Sequence, residues 1–473
     1  MQDYNQLTTE ILGQLKAVAS DHIKAGADMN EDYGHDEMPI YGRKMPDAVL
    51  IAHSPDEIAA CMKICNENHI PVTPRGAGTG LVGGCVPILG GLIIDTTKMN
   101  NILSYDIENF TVTIQPGVLL QDLASDCQKH GLLYPPDPGE KLATVGGNVS
   151  TNAGGMRAIK YGTTRDYVLK MQVVLPTGEI TSFGASVSKS SSGYSLLDLM
   201  IGSEGTLGII TELTLKVIPA PKYAASMIIP FEDLETCISA VPKLKMANLG
   251  PQALEFMERE IVLSSERYIG KSVFPQKMNG TQIGAYLLVT FDGKDENEVM
   301  ELIETASELM LDAGAIDVLV ADTPAQMKDA WVARSSFLEA IEAETKLLDE
   351  CDVVVPVNQI AKFLTFSQKA GEECGLTIKS FGHAGDGNLH IYQCSNDLSE
   401  EEFKKRIAIY FGKLYQKATE CGGLVSGEHG IGRGKIQYLE QSVGIVNMSI
   451  MRGIKQVFDP NMILNPGKVC YPL

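Results

Sequence analysis

Three of the chain's eight histidines fall in two short glycine-flanked segments. The first runs from Gly382 through His383, Gly385, Asp386 and Gly387 to His390; the second is Ser426-Gly427-Glu428-His429-Gly430. Imidazole and carboxylate groups on glycine-rich turns suit a metal or proton-transfer site, because glycine lets backbone approach a ligand closely. His383 and His390 are placed to meet at one ion from either side of a tight turn, with Glu428 as third ligand and His429 as a base. The plainer alternative is a pair of polar loops whose histidines hydrogen-bond locally.

A second chemistry is written nearer the start. Gly78-Thr79-Gly80-Leu81-Val82-Gly83 matches the GxGxxG dinucleotide pattern, which requires a helix opening at its end. The continuation, Cys85-Val86-Pro87-Ile88-Leu89-Gly90-Gly91, is no helix start, so the Rossmann reading fails on context. Successive backbone N–H groups in such turns still form anion-binding concavities, and Arg75 beside them suits a phosphate. A second run, from Thr144 to Gly155, adds more close backbone and short polar side chains. Two such loops suit an extended cofactor with a diphosphate; the bland alternative is a set of tight turns.

The elements that must position these residues read as β then α. Residues 1–44 are an expected helical lead-in, amphipathic around Ile11, Leu12, Leu15 and Val18. Ala48 to Ala52 is a short apolar strand, and Ser54-Pro55-Asp56-Glu57 caps a helix through Asn66. Strands are predicted at Leu92 to Asp95, Thr111 to Gln115 and Met171 to Leu175, with a helix from Val118 to His130. A boundary is expected near Pro219-Ala220-Pro221. Beyond it, helical patterns (Leu234 to Met246, Glu296 to Ala313, Ala325 to Thr345) alternate with strands such as Gly284 to Thr290, as in an α+β domain with an antiparallel sheet.

At 473 residues with 44% apolar and 21% charged side chains, two or three globular domains are expected. The net charge of −20 argues against nucleic acid or an anionic membrane as the main partner. The N-terminal segment does not read as a signal peptide, and no run of about eighteen apolar residues marks a membrane span. Ten cysteines without a CxxC pair point to a reducing, cytoplasmic setting with no iron–sulfur cluster; Cys61 and Cys65 read as packing on one helix.

Taken together, these segments resemble a known family. Pro74 to Gly80 is similar to the diphosphate loop of the vanillyl-alcohol oxidase / p-cresol methylhydroxylase (VAO/PCMH) type of FAD-binding domain. Pro135 to Pro138, Gly146 to Asn148, Asn152 to Gly155 and Ile201 to Ile209 resemble its later flavin contacts. The histidine segments resemble the branch that holds FAD-linked D-lactate dehydrogenase, glycolate oxidase and D-2-hydroxyglutarate dehydrogenase. The likeness covers roughly 45–470, in the right order.

That resemblance implies an α+β architecture: a lead-in (1–44), a VAO/PCMH-type FAD-binding domain (45–220), an α+β substrate or cap domain (221–425), and a C-terminal segment (426–473) returning to the FAD domain to complete the active site. It implies FAD held by Arg75, Gly76, Ala77, Gly78, Thr79, Gly80, Pro136, Thr144, Gly147, Asn148, Thr151, Asn152, Ala153, Gly154, Glu204, Gly208, Ile209 and Asn465. Thr79 stands where some relatives carry a flavin-linked histidine, so the FAD is expected to be non-covalent. His383, His390 and Glu428 resemble ligands of a divalent metal (zinc, iron or manganese), and His429 the catalytic base. Arg334 matches a substrate arginine suited to a carboxylate.

Relatives acting on D-2-hydroxyglutarate carry a threonine four residues after that arginine and a lysine further on. Leu338 and acidic Glu350 stand near those places here, which favours a small substrate and puts lactate ahead of 2-hydroxyglutarate, with glycolate as an alternative. Electrons are expected to leave through a partner, first of all an electron-transfer flavoprotein. Two other classes are a metallohydrolase, which leaves the glycine loops unexplained, and a non-catalytic flavin-binding subunit, which has no need of His429 and Arg334.

Overall fold

A computed structural model describes residues 4–471. The chain packs as two compact units. The first takes the chain up to Ala153, then Thr163–Ala220, and resumes at Glu428; the second is Gly154–Gly162 with Pro221–Gly427. Among the described residues no helix is long and apolar enough to cross a membrane.

In the first unit the helix Thr9–Ala19 is capped by the Thr8 hydroxyl, which accepts from the Ile11 N–H, and buries Ile11, Leu15 and Ala19. The α-helical part of the lead-in ends there, and the helical turns that follow are short 3-10 ones, at Ser20–His22, Gly26–Asp28, Glu31–Gly34 and Pro39–Tyr41. Val18 faces solvent, and Ile23–Ala25 is a strand antiparallel to Ala48–Ile51. Ala48–Ile51, Leu92–Asp95 and Val72–Arg75 run parallel beside it in a four-stranded sheet, which explains their unbroken apolar character. The helix Pro55–Glu67 starts where expected, with the Ser54 hydroxyl accepting from the Glu57 N–H and the Glu57 carboxylate from the His53 N–H. It buries Cys61 and Cys65 in the core under this sheet. After the GxGxxG match the chain makes only turns before Leu92–Asp95, so no Rossmann helix follows.

A second, five-stranded antiparallel sheet orders Ile102–Asp106, Thr111–Ile114, Ile209–Lys216, Val168–Val174 and Ile180–Gly184. The C-terminal segment of this unit returns to the first sheet. Val72 donates to the Ile463 carbonyl at 2.8 Å, and Asn465 donates to the Val72 carbonyl at 2.6 Å.

The second unit is built on a seven-stranded sheet. Its order is Leu319–Ala321, Tyr223–Phe231, Ala285–Gly293, Ala253–Glu258, Thr377–His383, Asn388–Ser395 and Leu347–Val354, every neighbour antiparallel. Helices Arg259–Ile269, Pro324–Ser335 and Phe337–Glu344 cover the face that carries Met257, Phe381 and Tyr392. The single helix expected over 325–345 is two, because the backbone leaves the helical region at Ser336. Residues 154–162 carry the short helix Ala158–Tyr161, fixed to the sheet by Lys160 and Tyr161, which both bond to the buried Asp292 carboxylate.

Candidate active site

The two histidines of the first glycine-flanked segment lie on a hairpin, Thr377–His383 with Asn388–Ser395. Its register sets Phe381 opposite His390 and His383 opposite Asn388, and directly opposed residues share a face of the sheet. The turn needs a glycine. Gly387 sits at φ +88°, and a Cβ there would fall 1.9 Å from the Val355 carbonyl oxygen. The result brings His383 Nε2 and His390 Nε2 to 3.5 Å, with the rings perpendicular.

Each ring is held from behind by a buried acid. Glu255 Oε1 lies 2.7 Å from His383 Nδ1, and Glu350 Oε1 lies 3.2 Å from His390 Nδ1. A carboxylate accepting the Nδ1 proton leaves the Nε2 lone pair outward. Two such lone pairs facing each other repel unless a cation lies between them. Imidazole nitrogens bound to one tetrahedral ion at about 2.1 Å stand about 3.4 Å apart, so this donor pair fits a divalent metal.

Glu255 has a second partner. Its Oε2 accepts from Arg334 Nε at 3.0 Å and Nη2 at 2.6 Å. Burial pushes this carboxyl upward, yet the neighbouring His383 and Arg334 outweigh it and hold Glu255 below the ordinary carboxylate range. The Arg334 guanidinium also lies 4.6 Å over the Phe381 ring. Arg334 is therefore not the open fork expected from the sequence. Its Nε–Nη2 edge is occupied by Glu255, and among the described residues no acceptor engages Nη1.

Glu350 is buried against His390. Two residues along the same strand, Asp352 accepts from Ser426 Oγ at 2.6 Å, from the Gly427 N–H at 3.0 Å and from Asn388 Nδ2 at 2.7 Å. It thereby fixes the start of the second glycine-flanked segment. Glu428 and His429 follow Gly427 directly, are counted with the first unit, and lie 3.6 Å apart. Sequence reasoning does not single out Glu255 or Asp352. Their one signal is an acidic residue at an inward strand position, Glu255 in an otherwise apolar run.

The residues expected to hold a flavin lie in the first unit, except Gly154, which belongs to the second. Gly76 joins the two glycine loops: a Cβ there would fall 2.2 Å from Thr144 Oγ1. Thr144 caps the short helix Val145–Thr151, accepting from the Gly147 N–H, and Thr151 Oγ1 donates to the Gly147 carbonyl. Asn148 and Pro136 are buried; Asn152, in the left-handed region, accepts from the Arg165 N–H, and the Ala153 carbonyl accepts from Thr164. Among the described residues no protein acceptor engages the N–H groups of Ala77, Gly78, Thr79 and Gly80, a run of donors that fits a diphosphate.

Three expected contacts turn out differently built. Arg75 is buried, with Nη1 on the His35 carbonyl at 2.7 Å, and braces the loop from inside. The Glu204 carboxylate accepts from the Ile431 and Gly432 N–H groups at 2.7 Å each, and its own N–H donates to the Ser150 carbonyl at 2.7 Å, so the residue ties the surrounding loops together. Burial pushes that carboxyl up, against the pull of those two N–H groups. Asn465 Nδ2 donates to the Gly84 and Glu204 carbonyls. Gly208 leads into the strand beginning at Ile209, whose side chain lies in the core.

Two family models match this chain: an FAD binding domain over residues 46–184, and the C-terminal domain of FAD linked oxidases over residues 220–469. The chain belongs to the FAD-linked oxidases. Relatives of the chain include a D-lactate dehydrogenase of Anaerostipes hadrus, 64% identical over 470 residues that cover 99% of both chains. The glycolate oxidase subunit GlcD of Bacillus subtilis is 38% identical over 92% of this chain and 91% of its own. Among solved structures, p-cresol methylhydroxylase matches with a TM-score of 0.78 at 18% identity, covering 98% of this chain and 96% of that one. The chain thus has the VAO/PCMH fold, and its first unit carries the FAD-binding match apart from residues 154–162.

Proposed function

We propose that this protein is an FAD- and divalent-metal-dependent D-2-hydroxyacid dehydrogenase that converts D-lactate to pyruvate. The observation that carries the metal part is the facing pair of Nε2 atoms, each imidazole backed by a buried carboxylate. The 64% identity to a D-lactate dehydrogenase supports the substrate.

When bound, FAD supplies the hydride acceptor and a divalent ion supplies the Lewis acid that polarises the substrate hydroxyl. His383 and His390 would offer Nε2 to that ion, because the Glu255 and Glu350 carboxylates accept from Nδ1–H and so keep each proton on that nitrogen. Glu428 adds a carboxylate; it is covalently next to Gly427, whose N–H Asp352 holds. His429 takes the hydroxyl proton as the C2–H pair departs, a task suited to an imidazole near neutral pH. Arg334 receives the substrate carboxylate at Nη1. The ten scattered cysteines offer no cluster spacing, so electrons leave to a partner, and an electron-transfer flavoprotein is the acceptor we favour.

Glycolate is the second substrate to compare, because the chain is also 38% identical to a glycolate oxidase subunit. The test is anaerobic bleaching of the yellow flavin by D-lactate, L-lactate, glycolate and D-2-hydroxyglutarate, before and after chelation. Fast bleaching by D-lactate that is lost on chelation and restored by a divalent ion is the expected result. Reduction only by D-2-hydroxyglutarate, or reduction indifferent to chelator, would overturn the proposal.

A further inference from the structure

Glu255 is fully buried in the middle of the seven-stranded sheet, at a strand position where the surrounding residues are apolar. A buried carboxylate persists only where partners compensate its desolvation. Here the compensation comes from two residues with different prospective tasks, one on each oxygen: His383 on Oε1 and Arg334 on Oε2. The contacts then continue into a closed circuit. His383 meets His390 at 3.5 Å, His390 lies against the Phe381 ring with centroids 5.3 Å apart, and Phe381 lies under the Arg334 guanidinium at 4.6 Å. A shift of Arg334 toward an incoming anion therefore moves its grip on Glu255 and on Phe381 together, and each of those touches a histidine.

We propose that Glu255 is a positioning residue that couples the two halves of substrate capture: it fixes the tautomer of His383 for metal binding and the rotamer of Arg334 for the substrate carboxylate. The assignment rests on the metal reading above and extends it to a linkage, in which occupation of either site tightens the other. Chemistry makes the acid hard to replace. A carboxylate accepts at both oxygens, whereas the isosteric amide has one acceptor and one donor end. Glutamine at 255 can satisfy His383 or Arg334, and turns an N–H toward whichever it fails.

The test uses the full-length FAD-containing protein, stripped of metal and titrated with zinc against a chromophoric chelator in the absence of substrate. Glu255→Gln is expected to weaken zinc binding about 10–100-fold, as loss of an acid behind a ligating histidine does. At saturating zinc it is expected to raise the KM for D-lactate, with flavin content unchanged. Arg334→Lys is the decisive second variant, because the proposed ion does not touch that residue. It is expected to weaken substrate-free zinc binding about fivefold or more, and it answers the question even where Glu255→Gln fails to fold. Wild-type zinc affinity in either variant would overturn the coupling while leaving the dehydrogenase reading intact. A wild-type protein that binds no zinc would overturn both.

Discussion

Glu350 and Asp352 stand two residues apart on one strand, side chains on the same face, and hold different things. Glu350 backs His390, while Asp352 grips the Ser426-Gly427 turn. The period of a strand thus places two acids side by side under two separate pieces of chain. Glu350→Gln is expected to lower metal retention about 10–100-fold, read as metal content after gel filtration. Asp352→Asn leaves one acceptor where the acid serves Ser426, Gly427 and Asn388, and should cost ~1–3 kcal/mol of stability. A melting temperature unchanged by Asp352→Asn would contradict the anchoring role.

His429→Gln addresses the base. Removing a positioned proton acceptor slows such a step about 10²–10⁴-fold. The rate of anaerobic flavin reduction by D-lactate should fall within that range with FAD content preserved. A decrease smaller than about tenfold would assign the proton to another group.

Gly76→Ala tests the cofactor cradle. The added methyl would meet Thr144 Oγ1 at 2.2 Å, so either the loop or the Thr144 cap must move. FAD retention, read as the ratio of flavin to protein absorbance after dialysis, should drop, while the second unit's fold is untouched. Full flavin occupancy would show that the two loops tolerate separation.

Much of this arrangement is legible in the sequence, and the illegible parts share a cause. The His383–His390 hairpin announces itself because glycines and histidines are neighbours in the chain, and the Ser54 cap because its partner is three residues away. Glu255 does not, since its partners are 79 and 128 residues distant and its strand reads as plain core. The Ile23–Ala25 strand is too short to show a period, and the break at Ser336 carries no glycine or proline. The guanidinium of Arg334 reads as open because sequence shows a residue's type and never its neighbour in space.

Acid dependence should expose Asp36, whose carboxylate accepts from the Gly83 and Met38 N–H groups. Burial pushes it up from 3.8 to about 6, more than those N–H groups can offset. The folded state therefore binds a proton between pH 6 and 4 that the unfolded state lacks, and Asp36 contributes more stability as pH falls through that window. Asp36→Asn removes this term. The slope of stability against pH between 4 and 6 should become more positive by at most about 1.4 kcal/mol per pH unit. An identical slope in both proteins would show that the carboxyl titrates normally.

The bond between Val72 and residues 463–465 has a consequence for how the protein is made. The edge of the first sheet is translated early, but the segment that closes it emerges only after the whole second unit. At about 5–20 residues per second a ribosome takes on the order of tens of seconds to cover that interval. During it, a nascent FAD-binding half presents an uncovered strand edge of the kind that invites wrong pairing. Splitting the gene at residue 220 would make that interim state permanent.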